Sequence, residues 1–117
     1  MAILWARSGV PRDRIRRDIE TQFEYDLSIS VDELRETYQY NETCQRTVPE
    51  AIRCFLEADG FEDAIRNAIS IGGDSDTLAA ITGSIAEAKW GVPEEIREMA
   101  LGILDDDLLE TYHWFFK

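Results

Sequence analysis

Apolar residues recur at three- and four-residue intervals almost from end to end of this chain, and no strict apolar–polar alternation runs long enough for a strand. The pattern predicts an all-α fold, a compact multi-helix domain. Met1 to Arg7 is apolar and stops at Ser8-Gly9, with nothing ahead of Met1 to cap it, so it reads as the last turns of a longer helix. Pro11 suits the first turn of a second helix, whose Ile15, Ile19 and Phe23 fall on one face at i, i+4 and i+8. Ser30 to Glu33 and Thr47 to Glu50 both have capping-box spacing, the second with Pro49 as a first helical residue. Helices are expected from there to about Tyr38 and to about Ala58.

Phe61, Ala64, Ile65, Ala68 and Ile69 form a stripe that Gly72 can end by taking a left-handed conformation. The next helix sets Leu78, Ile81, Ile85 and Ala88 among Ala79, Ala80, Gly83, Ser84 and Ala86. A helix so small-sided lets neighbours come close and is expected at the centre of the domain. It stops at Gly91, Pro93 restarts the chain, and Ile96, Met99, Ala100, Ile103 and Leu104 make a further stripe. Tyr112, Trp114, Phe115 and Phe116 crowd the last turn. Termini fray unless docked, so these rings are expected to pack on this domain or on a second subunit.

Length and charge narrow the classes. A chain of 117 residues is one domain, 1–117, with enough apolar content for a core. A net charge of -12 opposes nucleic acid and anionic membranes as partners. Most of the acid reads as solvated helix faces, and the arginines between Pro11 and Phe23, the one basic cluster, as another such face. No apolar run nears the ~20 residues of a membrane helix. Cys44 and Cys54 lack C-x-x-C spacing and no secretory leader precedes them, which points to two inert packing residues and a cytoplasmic setting.

Candidate chemistry is concentrated in one place. Between two apolar stripes lies "GGDSDT", Gly72 to Thr77, with two glycines, two carboxylates and two hydroxyls. Carboxylates at i and i+2 followed by a hydroxyl can chelate one hard cation or bridge two, and the glycines let backbone come near an ion or ligand. Asp, Ser and Thr are also favoured helix N-caps, stabilised by the positive end of the helix. A cap needs one such residue, whereas here there are four beside a helix expected to be buried, and carboxylates near a core need a cationic partner. Arg66 or a metal ion could be that partner. Residue chemistry alone leaves metal site and elaborate cap both open.

"AIRNAISIGGDSDTLAAITGSIAEAKWGVPEEI" resembles the C-terminal signature of the ADP-ribosylglycohydrolase family, the relatives of dinitrogenase reductase-activating glycohydrolase. "FEYDL" and "TVPEAIRCFLEADGFEDAI" resemble the segment leading into it, so the likeness runs from about Pro11 to about Leu104. The resemblance implies an all-α fold with two Mg²⁺ or Mn²⁺ ions in a cleft, and hydrolysis of the glycosidic bond between ADP-ribose and a modified side chain. It implies metal ligation by Asp74, Asp76 and Thr77, with Gly72, Gly73 and Ser75 beside the ions and an ADP-ribose-type ligand. The ions would orient ribose hydroxyls and activate water.

The family's N-terminal glycine-and-acid motif and its Thr/Ser-Asp-Asp metal motif are not found in this sequence. Asp105 to Asp107 lack a preceding hydroxyl and read as a solvated turn, and His113, the single histidine, as a packing or surface residue; no catalytic residue is assigned. The expectation is therefore the C-terminal part of such a fold with half of its metal site, inactive alone. Its partner would be a separately encoded N-terminal half, since a second copy supplies another D-x-D-T and no Thr/Ser-Asp-Asp; a homo-oligomer goes with the non-catalytic alternative. The alternatives are a non-catalytic dimeric module that binds metal or ADP-ribose weakly, and a relic in which Asp74 and Asp76 bind nothing.

Overall fold

The computed structural model describes residues 1–37 and 44–116. Among them every regular element is helical: α1 (Ala2–Arg7), α2 (Arg12–Phe23), α3 (Val31–Thr37), α4 (Cys44–Leu56), α5 (Phe61–Ile71), α6 (Ser75–Trp90), α7 (Glu94–Leu101) and α8 (Asp106–Phe115). No helix among the described residues is long and apolar enough to cross a membrane.

The spacing of α2 does what it predicts for two of three residues. Ile15 and Ile19 are buried, while Phe23 stays exposed and stacks on Tyr25 with ring centroids 5.9 Å apart. At the other end of α2 the Arg12 guanidinium donates to the carbonyls of Leu56 and Ala58, closing the C-terminus of α4, and lies 5.7 Å from the centroid of the Trp90 ring. A cation with spare donors is suited to carbonyls that a helix end leaves without partners.

At the start of α3 the Ser30 hydroxyl accepts from the Glu33 amide at 3.2 Å and stands 3.2 Å from the Glu33 carboxylate, as the capping-box spacing predicts. The Val31 amide donates to Glu57 Oε2 at 2.6 Å, joining α3 to the end of α4. The expected helix end at Tyr38 lies outside the described residues. For α4 the expectation needs correction: the helix is already formed at Cys44, and Pro49 lies inside it rather than at its start. T-x-x-E spacing fits any two successive helical turns, and Thr47 is buried instead of standing at an exposed end. Cys54, on the same helix, is fully buried, and burial pushes its thiol up to about 12, so it is an unreactive packing group. The side chain of Cys44 lies outside the described residues.

α6 is central, as its small residues predict, packing against α1, α4 and α5. It takes part in both apolar clusters of the core. Ile85 and Ala86 join Ile15, Ile19, Ile52 and Phe55 in one, and Leu78 joins Val31, Leu34, Cys54 and Ile71 in the other. Phe55 is fully buried and tilts against Trp90 at 5.4 Å, and burial of such a ring is worth about 2–3 kcal/mol. At Gly83 a side chain of α5 lies close: a Cβ there would stand 3.0 Å from Ile65 Cδ1. The adjacent Thr82, a fully buried polar residue, faces α4 and donates to the Ala51 carbonyl at 2.9 Å.

α7 and α8 contain no buried residue. Trp114, Phe115 and Phe116 are 68%, 72% and 58% exposed, so the terminal rings do not pack into this domain. Tyr112 and Phe116 meet each other at 4.6 Å instead.

Candidate metal and ligand site

The turn from α5 to α6 is made by two left-handed glycines. Gly72 has φ +87° and Gly73 φ +64°, a region costly for a residue with a Cβ. A Cβ at Gly72 would meet nothing within 4 Å, so the demand there is conformational and space is not limiting. The Gly72 amide closes α5 by donating to Ile69 O at 3.2 Å, and Ser75 donates to Gly73 O at 2.9 Å. α6 then starts at Ser75 with Asp74 in the N-cap position.

Asp74 does not behave as a side-chain cap. Its carbonyl takes the Leu78 amide at 3.1 Å, but its carboxyl accepts no amide of α6. The contrast within this chain is Asp105, N-cap of α8, whose Oδ1 accepts from the Leu108 amide at 2.9 Å. The Asp105–Asp107 run is exposed as expected, but it is not a turn: Asp105 caps α8, and Asp106 and Asp107 are its first residues. The Asp74 side chain bears instead on Asp76, two residues along the same turn. That interaction first, and the Thr77 amide 3.0 Å from Asp76 Oδ1 second, hold the Asp76 carboxyl below the ordinary carboxylate range. Two carboxyls draw together only with a proton or a cation to offset their repulsion.

Asp76 and Thr77 are exposed, and Asp74, Ser75 and Gly72 half-buried, at the open end of the central helix. Arg66 is not their counter-ion: it pairs with Glu62 at 2.8 Å on the exposed side of α5, one turn back along its own helix. An i,i+4 partner is always within reach, which is why the nearer acid takes it. The donors present are hard oxygens, suited to Mg²⁺ or Mn²⁺ as part of a coordination shell. Among the described residues no cluster of three or more His, Cys, Asp or Glu side chains could hold a metal ion by itself.

Ile81 and Ser84, one and two turns below Thr77 on the same face of α6, line a cleft of about 380 Å³ with Met1, Ile3, Phe23 and Ile52. These neighbours of the site are visible in the sequence only as a helical period running down from Thr77. His113 is exposed on α8, beside Tyr112 and not in this turn.

Residues 2–116 match the model of the ADP-ribosylglycohydrolase family. Over 86 residues the chain is 33% identical to ADP-ribosylhydrolase ARH3 of Homo sapiens, an overlap covering 61% of this chain and 24% of that one. The same protein of Bos taurus gives 33% over 86 residues, with the same coverage of 61% and 24%. An uncharacterized protein of Archaeoglobus fulgidus is 38% identical over 64 residues, covering 54% of this chain and 20% of that one. The chain therefore spans about a quarter of the length of the curated relatives it matches. No solved structure matches it.

Proposed function

The chain belongs to the ADP-ribosylglycohydrolase family, and from that premise we propose that its Gly72–Thr77 turn is one part of a Mg²⁺- or Mn²⁺-dependent centre that hydrolyses the glycosidic bond of ADP-ribosylated substrates. The observation that carries this reading is the behaviour of Asp74. An aspartate at an N-cap whose carboxyl takes no helix amide, with a second carboxyl two residues on, leaves its oxygens available to a shared cation. Asp74, Asp76 and Thr77 would hold the ion, which when bound supplies a Lewis acid for ribose hydroxyls and a more acidic water. Gly72, Gly73 and Ser75 form the rim against which a ribose-phosphate ligand lies, with no side chain projecting from the two glycines.

Two carboxylates and a hydroxyl fill a minority of the positions around a six-coordinate cation. The chain alone is accordingly a weak metal binder without turnover, and hydrolysis requires ligands supplied by further polypeptide of the kind that makes up the rest of the longer relatives.

The test is calorimetric titration of Mn²⁺, and then of ADP-ribose in its presence, into the wild type and an Asp74→Asn, Asp76→Asn variant. Heat from the wild type that the variant loses supports the site. Equal heats from both proteins would mean that the turn holds no cation.

A further inference from the structure

The core of this molecule closes at Trp90, the last residue of α6. Its ring tilts against buried Phe55 at 5.4 Å and has the Arg12 and Lys89 cations 5.7 and 5.9 Å from its centroid. Among the described residues none beyond Trp90 belongs to either apolar cluster of the core. Gly91 follows with φ +74°, a conformation costly for a residue with a Cβ, and a Cβ there would meet nothing within 4 Å. Pro93 then holds the N-cap position of α7.

The polar and ring contacts of residues 92–116 are their own. Arg97 pairs with Glu94 at 3.4 Å, the Asp105 carboxylate caps α8, and Tyr112 meets Phe116. Among the described residues no hydrogen bond, ion pair or ring contact joins this stretch to residues 1–90. Its apolar contact is partial as well: Ile96, Leu101, Leu104 and Tyr112 are half-buried, and no side chain of α7 or α8 is buried. A groove of about 610 Å³, lined by Phe61 of α5 and Glu87 of α6 and by Ile96, Leu104 and Tyr112, keeps the two parts from packing flush.

An element with partial burial and only local hydrogen bonds opens at lower cost than the core it rests on. Helices of 8 and 10 residues do not persist alone in water, so α7 and α8 lose their internal hydrogen bonds once they leave that core. α6 meanwhile keeps its packing on α1, α4 and α5.

We propose that residues 92–116 form a hinged arm that swings away at Gly91 and Val92 and unfolds while α1 to α6 stay folded, uncovering Phe61 and the C-terminal end of α6. The arm is attached at the opposite end of α6 from Gly72–Thr77, roughly 24 Å along a helix of 16 residues. The inference is therefore independent of the metal reading.

Hydrogen–deuterium exchange of the full chain, followed by mass spectrometry of its peptides, tests it. Amides of α7 and α8 are expected to exchange about a hundredfold faster than the slowest amides of α4 and α6, yet more slowly than an unstructured peptide. Adding about 1 M urea should speed the core amides about fivefold and those of the arm less than about twofold, because opening the arm exposes little new surface. An arm as protected as α6 overturns the proposal, and so does an arm whose exchange responds to urea in the same proportion as the core, which would mean that both open only by global unfolding. Exchange of α7 and α8 at the rate of an unstructured peptide also overturns it, since there would then be no docked arm to open.

Discussion

The Thr82 hydroxyl, fully buried in α6, donates to the Ala51 carbonyl at 2.9 Å and ties α4 to the helix that begins at the candidate site. Replacement by valine keeps the volume and removes the donor. The expected cost of Thr82→Val is about 1 kcal/mol, or roughly 4–5 °C in melting temperature. Alanine adds a cavity and should cost about 2 kcal/mol. Thermal unfolding followed by circular dichroism distinguishes these, and a valine variant as stable as the wild type would show that the hydrogen bond contributes nothing net.

At Gly72 the backbone conformation, not the room around it, restricts the residue. With φ at +87° and nothing near the missing Cβ, Gly72→Ala should destabilise by about 1–2 kcal/mol through backbone strain alone. An unchanged denaturation midpoint for the alanine variant would mean that the turn relaxes to another conformation.

Glu50 supplies a pH-dependent case. Burial raises its carboxyl above the ordinary value of 4.5, with Arg46 pulling the other way, and its Oε2 is a buried atom without a hydrogen-bond partner. A carboxyl raised in the folded state favours folding while protonated. That contribution is complete below the unfolded value and is lost as pH climbs through the folded one. Glu50→Gln removes the charge, so it should leave stability near pH 4 close to that of the wild type. Near pH 8 it should raise the melting temperature by roughly 1–3 °C, a small effect because solvent screens a half-exposed group. Scanning calorimetry at both pH values is the check, and an equal shift at the two would trace the effect to packing instead of charge.

The helical period in the sequence was enough to place Ile15, Ile19, Ala64, Ala68, Leu78 and Ile85 in the core, because a repeating apolar stripe has one face to bury. Gly72 and Gly91 were legible as stops because few other residues take positive φ. The start of α4 was misplaced because capping-box spacing recurs inside helices, and Pro49 near an N-terminus looks the same whether the helix begins at it or one turn earlier. Thr82 gave no signal at all. A threonine within an apolar helix reveals its partner only once α4 lies against it. At the candidate site, composition located the turn but left cap and ligand undivided, since aspartate is favoured for both. Only the side-chain geometry separates Asp105, which takes the Leu108 amide, from Asp74, which does not.

The elbow at Gly72 and Gly73 joins two helices that are each anchored in the core, α5 through Ala64, Ala68 and Ile71 and α6 through Leu78 and Ile85. The segment between them has few conformations left to lose, because its ordering occurs when the domain folds. If the turn holds a cation as proposed, the ion would meet a backbone already ordered and need not gather a loop around itself. Each added oxygen ligand should therefore translate into affinity with little entropic loss, so the number of donors, and not the stiffness of the turn, sets how tightly an ion is held.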